Sequence, residues 1–240
     1  MKLLVLAAGY ATRLYPLTLD TPKPLLEVGG RPMLDRVLDA LRPMGVDGAY
    51  VVTNAKFADR FRAWAASSHR GVTVIDDGTT DDANKLGAIG DIDLVLERER
   101  LEDDLVVVAG DNLFGESLGG FPPRRDVPVL AVYDVGDLER IRQYNAIEVD
   151  GDGRIVFFEE KPAEPRSTLT GIALYFYPRP VLPLIRRYVA EGNNPDQPGH
   201  LIQWLYPRTP VYTWRVPGLW FDIGSPEQLA EADRIFSAQS

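Results

Sequence analysis

The stretch that decides the fold is Leu6-Ala7-Ala8-Gly9-Tyr10-Ala11-Thr12-Arg13-Leu14-Tyr15-Pro16-Leu17-Thr18-Leu19-Asp20-Thr21-Pro22-Lys23-Pro24-Leu25-Leu26, which continues the apolar run of residues 2–6. That run is typical of a buried β-strand, and Ala7, Ala8 and Gly9 carry too little side chain to keep a ligand from the backbone. Amides exposed in this way can bind phosphate oxygens, with Arg13 and Lys23 as the cations. The chain has no GxxxxGK[ST], and no GxGxxG follows the first strand. The stretch therefore predicts a triphosphate-binding loop of another kind.

The first half of the chain alternates predicted strands with predicted helices. Short, nearly continuous apolar runs occupy residues 3–6, 49–52, 72–75 and 105–109, as in strands buried on both faces of a parallel sheet. Helical patterns separate them, the first beginning at Pro32. This alternation predicts right-handed crossovers and ligands at the carboxyl ends of the strands, where Gly9 and Asp111 both fall.

The pattern changes after Asp126 to closely spaced strands. Strands are predicted at residues 129–133, 146–149, 155–158, 171–177 and 211–216, and helices at residues 180–191 and 226–236. We find no internal repeat and no segment that is long enough to be a linker between domains. The sequence predicts one α/β domain over residues 1–240, with halves at residues 1–125 and 126–240.

Composition excludes several classes of protein. The net charge of −9, from 35 acidic against 26 basic residues, argues against a nucleic-acid partner and favours a small ligand. The absence of cysteine excludes disulfides, thiolate catalysis and cysteine zinc sites. His69 and His200 are expected to be structural, which disfavours a Ser-His-Asp hydrolase. Without an apolar run of membrane-spanning length or a leader, we expect a cytoplasmic protein that does not bind membranes. The sequence allows a homo-oligomer but does not predict one.

The pattern LAAGxxTRLxPLTxxxPKPLLxV, which begins at Leu6, resembles the signature of the sugar-phosphate nucleotidyltransferases, in particular the glucose-1-phosphate thymidylyltransferases. Further matching segments follow in order: Gly110-Asp111-Asn112, Glu159-Glu160-Lys161-Pro162, Thr170-Gly171 and Trp220-Phe221-Asp222-Ile223-Gly224-Ser225-Pro226-Glu227. The resemblance covers nearly the whole chain. It implies a three-layer α/β/α, Rossmann-like fold with a mixed, mostly parallel sheet and an inserted β-rich part that binds sugar. Residues 1–125 would form the nucleotide-binding half and residues 126–240 the sugar-phosphate-binding half.

The activity that the resemblance implies is Mg²⁺-dependent transfer of a nucleotidyl group. A nucleoside triphosphate, dTTP or UTP by preference, would react with a sugar 1-phosphate, by preference glucose 1-phosphate, to give a nucleotide sugar and pyrophosphate. Cytidylyl or guanylyl transfer is the alternative within the family. A catalytically silent, nucleotide-sugar-binding regulator is the alternative outside enzymes. A glycosyltransferase is disfavoured because the Asp111-Asn112 strand end lacks an Asp-x-Asp motif.

The resemblance assigns three catalytic residues, Arg13, Lys23 and Asp111, and a metal pair, Asp111 and Asp222. Taken alone, an aspartate after a glycine at a strand end is more often a turn or cap residue. Arg13 offers a planar fork for phosphate, and prolines on both sides of Lys23 stiffen the backbone that aims it. The implied nucleotide-binding set is Leu6, Ala7, Ala8, Gly9, Thr12, Arg13, Lys23, Gly87 and Asp111.

The implied sugar-phosphate set is Tyr144, Asn145, Glu160, Lys161 and Gly171. Lys161 would meet the phosphate of the sugar, although the sequence alone also permits a surface salt bridge with a neighbouring glutamate. Asn145 stands where relatives commonly have glycine, and its amide is expected to bond a hydroxyl or to narrow the pocket. Asp81-Asp82-Ala83-Asn84-Lys85 replaces the glutamine-proline segment common before Gly87, so the base stays open.

Overall fold

The computed structural model describes residues 1–68 and 71–238. His69, expected to be a structural residue, lies outside the described residues. The strands are β1 Lys2–Leu6, β2 Glu27–Val28, β3 Arg31–Pro32, β4 Ala49–Thr53, β5 Val72–Asp76, β6 Leu105–Ala109, β7 Asn112–Phe114, β8 Val129–Asp134, β9 Asn145–Val149, β10 Ile155–Glu160, β11 Leu169–Tyr177, β12 Tyr212–Arg215 and β13 Trp220–Asp222. The helices are α1 Met33–Leu41, α2 Ala58–Ser68, α3 Ala88–Arg98, α4 Leu138–Ile141, α5 Leu182–Ala190, α6 Pro198–Leu205 and α7 Pro226–Ser237.

The chain divides into two compact units. The first, which we call the N-terminal unit, contains residues 2–85, residues 108–119 and the chain from residue 217. The other, the central unit, contains residue 1 and residues 86–107 and 120–216. These units differ from the predicted halves at residue 125. Residues 86–107 and 120–125 belong to the central unit, and the chain from residue 217 belongs to the N-terminal unit. Which half binds which substrate stays a prediction.

The N-terminal unit has parallel strands in the order β1-β4-β5. Leu3 lies opposite Ala49, and Ala49 opposite Val72. The centres of β1 and β4 are fully buried, as their continuous apolar sequences predict for parallel strands. Helix α1 begins directly after Pro32, where the sequence predicted it.

The central unit has the strand order β12-β8-β11-β6. Strand β12 pairs with β8 in parallel, whereas β11 pairs with β8 antiparallel. A separate antiparallel pair, β9 and β10, carries several predicted site residues, and helix α6 packs against β10. Mostly parallel strands with flanking helices confirm the predicted α/β fold and its mixed sheet.

Two helices were missed from the sequence. Helix α6 begins with Pro198 and Gly199, and proline and glycine are common in turns. Helix α4 has only four residues, too few for a helical pattern. In the described part of the chain, no helix is long and apolar enough to cross a membrane.

Candidate active site

The small-residue loop after β1 leaves its backbone open at Gly9. The Ala7 amide donates to the Val52 carbonyl oxygen at 2.9 Å, and Asn54 Nδ2 donates to the Ala8 carbonyl oxygen at 2.8 Å. A Cβ at Gly9 would meet no atom within 4 Å. Two residues of the loop are thus fixed and the third faces free space, so a ligand can approach the backbone there.

The next turn presents Arg13. Ala11 takes a left-handed conformation with φ 49°, and Thr18 Oγ1 donates to the Ala11 carbonyl oxygen at 2.9 Å. A short 3-10 turn, Thr12–Leu14, follows and leaves Thr12 and Arg13 exposed. A Cβ at Gly224 would lie 3.6 Å from both terminal nitrogens of Arg13. The guanidinium therefore lies against the segment that carries Asp222.

Lys23 is buried and paired with Asp111. The Lys23 ammonium donates to Asp111 Oδ2, and a 3-10 turn flanked by Pro22 and containing Pro24 holds its backbone. Burial by itself would raise the pKa of Asp111, but the Lys23 charge and hydrogen bonds from Lys23 and Asn112 hold it below its usual value. Asp111 is therefore ionised at neutral pH.

The negative charge of Asp111 acts on the carboxyl of Asp222. Burial, together with repulsion from Asp111, raises the pKa of Asp222 to about 6, against the opposing charges of Lys23 and Arg13. The Lys23–Asp111 ion pair, the pairing of Asp222 with Asn112 and the closeness of Arg13 to Gly224 bring these four side chains together. We call Arg13, Lys23, Asp111 and Asp222 the carboxylate cluster.

Strand β13 ends at Asp222, and strand β7 begins directly after Asp111. They pair antiparallel with Asp222 opposite Asn112. Trp220 Nε1 donates to Asn112 Oδ1 at 2.7 Å, and Asn112 Nδ2 donates to Asp111 Oδ1 at 3.1 Å. A chain of hydrogen bonds that starts at Trp220 on β13 thus orients the carboxylate of Asp111 through Asn112.

The carboxylate cluster has a donor set that fits Mg²⁺. The described residues contain no group of three or more His, Asp or Glu side chains that could hold a metal. Mg²⁺, however, usually takes only one or two protein carboxylates, with water and substrate phosphates at its other positions. Asp111 and Asp222 meet this requirement. Burial and repulsion from Asp111 both raise the pKa of Asp222, and a divalent cation would offset both effects by neutralising the two carboxylates.

The predicted sugar-phosphate residues meet in the central unit. Asn145 and Glu160 lie opposite each other where β9 pairs with β10, and the Lys161 amide donates to the Tyr144 carbonyl oxygen at 2.7 Å. Lys161 has φ 48°, a left-handed conformation that is uncommon for a residue with a side chain and often marks a functional position.

The Asn145 amide is engaged with the backbone of Gly171. Its Oδ1 accepts from the Gly171 amide at 2.6 Å, and its Nδ2 donates to the Gly171 carbonyl oxygen at 3.1 Å. A Cβ at Gly171 would lie 2.6 Å from Leu130 Cδ2. A side chain at position 171 would therefore require the buried Leu130 to move, and the two hydrogen bonds of Asn145 join β9 to β11. A direct sugar contact by either residue stays a prediction.

Glu160 is enclosed by the start of α6. A Cβ at Gly199 would overlap Glu160 Oε2, and that oxygen is buried with no hydrogen-bond partner among the described residues. Burial raises the pKa of Glu160 to about 7, although the charge of Lys161 opposes the shift.

Gly87 is the residue directly before α3 in the central unit. It has φ +79°, and a Cβ there would lie 2.6 Å from the Pro195 carbonyl oxygen. The Ala88 and Ile89 amides donate to the Asp196 and Pro195 carbonyl oxygens. These contacts explain why residue 87 is a glycine. Its contact with a nucleobase stays a prediction.

The predicted residues thus lie in two groups, each internal to one unit. The N-terminal unit brings together Arg13, Lys23, Asp111 and Asp222, and the central unit brings together Tyr144, Asn145, Glu160, Lys161 and Gly171. The sequence analysis missed Asn54, Gln197 and Gly199. Only Asn54 has a local signal, since a polar residue directly after a buried strand favours a role at the strand end.

Comparisons with known proteins support the motif-based resemblance. A family model described as Nucleotidyl transferase matches residues 2–239. The bifunctional protein GlmU of Methanocaldococcus jannaschii is 24% identical over 237 residues, covering 98% of this chain and 54% of that protein. The UTP-glucose-1-phosphate uridylyltransferase AglF of Haloferax volcanii is 28% identical over 240 residues, covering 98% of this chain and 96% of that protein. The chain thus spans about half the length of the first relative and nearly all of the second.

A solved structure has the same fold. It is a Bacillus anthracis protein, provisionally assigned as a glucose-1-phosphate thymidylyltransferase, in complex with a sucrose. The TM-score is 0.82 at 24% identity, over 99% of this chain and 95% of that chain. At this identity the likeness establishes the fold alone.

Proposed function

The chain belongs to the nucleotidyl transferase family, and on this premise we propose that it is an enzyme that joins a nucleoside triphosphate to a sugar 1-phosphate. The products would be a nucleotide-activated sugar and pyrophosphate. The observation that carries the proposal is the carboxylate cluster, with its two cations, in the same unit as the open backbone at Gly9.

The reaction needs no base from the protein. A phosphate oxygen of the sugar 1-phosphate, already ionised at neutral pH, attacks the α-phosphorus of the triphosphate. A new phosphorus–oxygen bond forms, the bond from the α-phosphorus to the bridging oxygen breaks, and pyrophosphate leaves with that oxygen. Positioning and charge neutralisation supply the catalysis, which agrees with a carboxylate cluster that contains no histidine.

The cations of the N-terminal unit have separate tasks in this proposal. Lys23 neutralises charge that develops around the α-phosphorus, and Arg13 binds the β- and γ-phosphates through two parallel hydrogen bonds. Asp111 and Asp222 would hold Mg²⁺, which when bound neutralises further phosphate charge. The nucleotide site of this unit would be completed by Leu6, Ala7, Ala8, Gly9 and Thr12. A nucleobase contact by Gly87, which belongs to the central unit, is a separate proposal.

The central unit would bind the second substrate. Lys161 pairs with the phosphate of the sugar, and Glu160 accepts a hydrogen bond from a sugar hydroxyl. Tyr144 and Gly171 belong to the same group by position, while the bonds of Asn145 to Gly171 give it a supporting role. A buried carboxyl that binds a hydroxyl also discriminates against sugars that lack it.

The preferred substrates are a thymidine or uridine triphosphate and glucose 1-phosphate. The name of the Haloferax volcanii relative supports this pairing. Residues 81–85, which depart from the family pattern before Gly87, keep cytidylyl and guanylyl transfer as alternatives. The net charge of −9 supports small molecules rather than nucleic acid as partners. A cytoplasmic location stays a prediction from the sequence. Whether the protein forms a homo-oligomer stays open.

Pyrophosphate release tests the proposal. The purified protein is assayed with dTTP, UTP, CTP and GTP against a panel of sugar 1-phosphates, and each mixture is repeated without Mg²⁺ or without one substrate. We expect release only when all three are present, and not from Asp111→Asn protein that melts like the wild type. Binding of nucleotide sugars without any turnover would instead indicate a regulator.

A further inference from the structure

The side chain of Gln197 lies between those of Glu160 and Lys161. Its amide orientation is assigned from these neighbours: the nitrogen donates to Glu160 Oε1 at 3.1 Å, and the oxygen accepts from Lys161 Nζ at 2.6 Å. In the described part of the chain, no direct ion pair joins Glu160 to Lys161. Glu160 and Lys161 therefore each form a hydrogen bond with the Gln197 amide instead of an ion pair with each other.

The start of α6 fixes this amide. Gln197 is the residue before the helix, and its carbonyl oxygen accepts from the His200 amide at 3.0 Å. Gly199, two residues later, leaves the space that the Glu160 carboxyl occupies. The carboxyl is thus held between the Gln197 amide on one side and a glycine on the other.

We propose that Gln197 is a positioning residue whose amide keeps Glu160 and Lys161 from pairing with each other, so that both stay available to a sugar 1-phosphate. This inference rests on the proposed function of the same site. Glu160 is partly buried and Lys161 is exposed, so a direct pair would be of modest strength, but it would still occupy the charge assigned to the sugar phosphate.

For Lys161, the neutral amide oxygen is a weaker partner than a phosphate is. A phosphate bound to Lys161 forms a charge-assisted hydrogen bond, which is shorter and stronger than the bond to an amide oxygen. The amide can therefore give way to substrate, whereas a carboxylate on Lys161 would compete with the phosphate for the same charge.

A titration tests the contact without requiring turnover. The carboxyl of Glu160, assigned with Glu160→Gln, is titrated by ¹³C NMR in the wild type and in Gln197→Met, which keeps the length of the side chain and removes the amide. The groups that face Glu160 are Lys161, Tyr175 on β11, and Gln197 and Gly199 at the start of α6. We expect a lower pKa in the variant, because Lys161 can then reach the carboxyl and its charge stabilises the carboxylate more than the lost hydrogen bond from the neutral amide did. An unchanged or higher value would overturn the proposal.

Kinetics test the consequence for substrate. For Gln197→Met we expect the KM for sugar 1-phosphate to rise about tenfold or more, since small misplacements of binding groups have large effects, while the KM for the triphosphate changes less than twofold. Gln197→Glu should have a larger effect. Gln143→Met, at an exposed glutamine of the same unit, is the control and should behave as the wild type.

A double variant separates positioning from direct contact. In a Lys161→Met background, Gln197→Met should add less than a twofold change in the KM for sugar 1-phosphate. The same increase in both backgrounds would show that Gln197 does not act through Lys161 and would overturn the proposal. If the wild-type protein turns over no substrate, the proposed function fails, and the titration still decides whether the amide separates the two charges.

Discussion

At the scale of single residues, Lys23 has the most specific assignment. Lys23 is buried, and among the described residues its side chain pairs with Asp111 alone, so its removal leaves that carboxylate without its cation. We predict that Lys23→Ala lowers kcat by roughly 10² to 10³, the effect of removing one preorganised electrostatic contact. Initial rates with both substrates saturating would measure it. Lys56→Ala, at an exposed lysine, should retain the wild-type rate, and a Lys23→Ala enzyme that also does so would remove Lys23 from the catalytic group.

Glu160 makes the stability of the fold depend on pH. Its pKa is about 7 in the folded protein, above its ordinary value of 4.5, so the folded state binds the proton more tightly than the unfolded state does. Between these two pH values the carboxyl therefore lowers the free energy of unfolding as pH rises.

The prediction is a pH-dependent gain in stability for Glu160→Gln. Because the amide has no proton to lose, the variant should gain up to about 3 kcal/mol over the wild type as pH rises from 4.5 to 7.5. Urea melts at these two pH values would measure the difference. Glu159→Gln, at an exposed neighbour, should show no such trend, and a flat difference for Glu160→Gln would mean that the carboxyl is not held protonated by burial.

At the scale of elements, the pairing of β7 with β13 supports the carboxylate cluster through Trp220. We predict that Trp220→Phe, which removes the hydrogen bond to Asn112 while keeping an aromatic ring, raises the Mg²⁺ concentration for half-maximal turnover by about tenfold or more, the scale for partners that orient metal ligands. Metal titrations of the initial rate provide the measurement. Trp204→Phe, on α6, should leave the Mg²⁺ requirement unchanged. An unaltered requirement in Trp220→Phe would show that this hydrogen-bond chain does not orient Asp111.

The elements that could be predicted from sequence are those whose signal is local. An apolar run followed by Ala7, Ala8 and Gly9 predicts a strand and its open loop, and strand ends place Asp111 beside the loop cations. Contacts between residues far apart in the sequence have no local sequence signal. Asn54 bonds Ala8 from 46 residues away, and Glu160 meets Gly199 only because α6 packs on β10. Helix α6 itself escaped prediction because its first residues are the ones that favour turns.

At the scale of the whole molecule, the two groups of site residues belong to different compact units and should bind different substrates. Ligand that binds only the folded state stabilises it by about 2.7 kcal/mol at 100 times its dissociation constant. With Mg²⁺ present, the triphosphate should therefore raise the melting temperature of the wild type and of Lys161→Ala, and have little effect on Lys23→Ala.

Sugar 1-phosphate should give the reverse pattern. It should stabilise the wild type and Lys23→Ala and leave Lys161→Ala unchanged, because the only charge removed in the latter is the one assigned to the sugar phosphate. Thermal melts of the three proteins with each ligand in turn supply the comparison, with inorganic sulfate at equal ionic strength as the control for general anion effects. If each variant lost its response to both ligands, the two groups would not be separate binding sites, and the assignment of one substrate to each unit would be wrong even for an active enzyme.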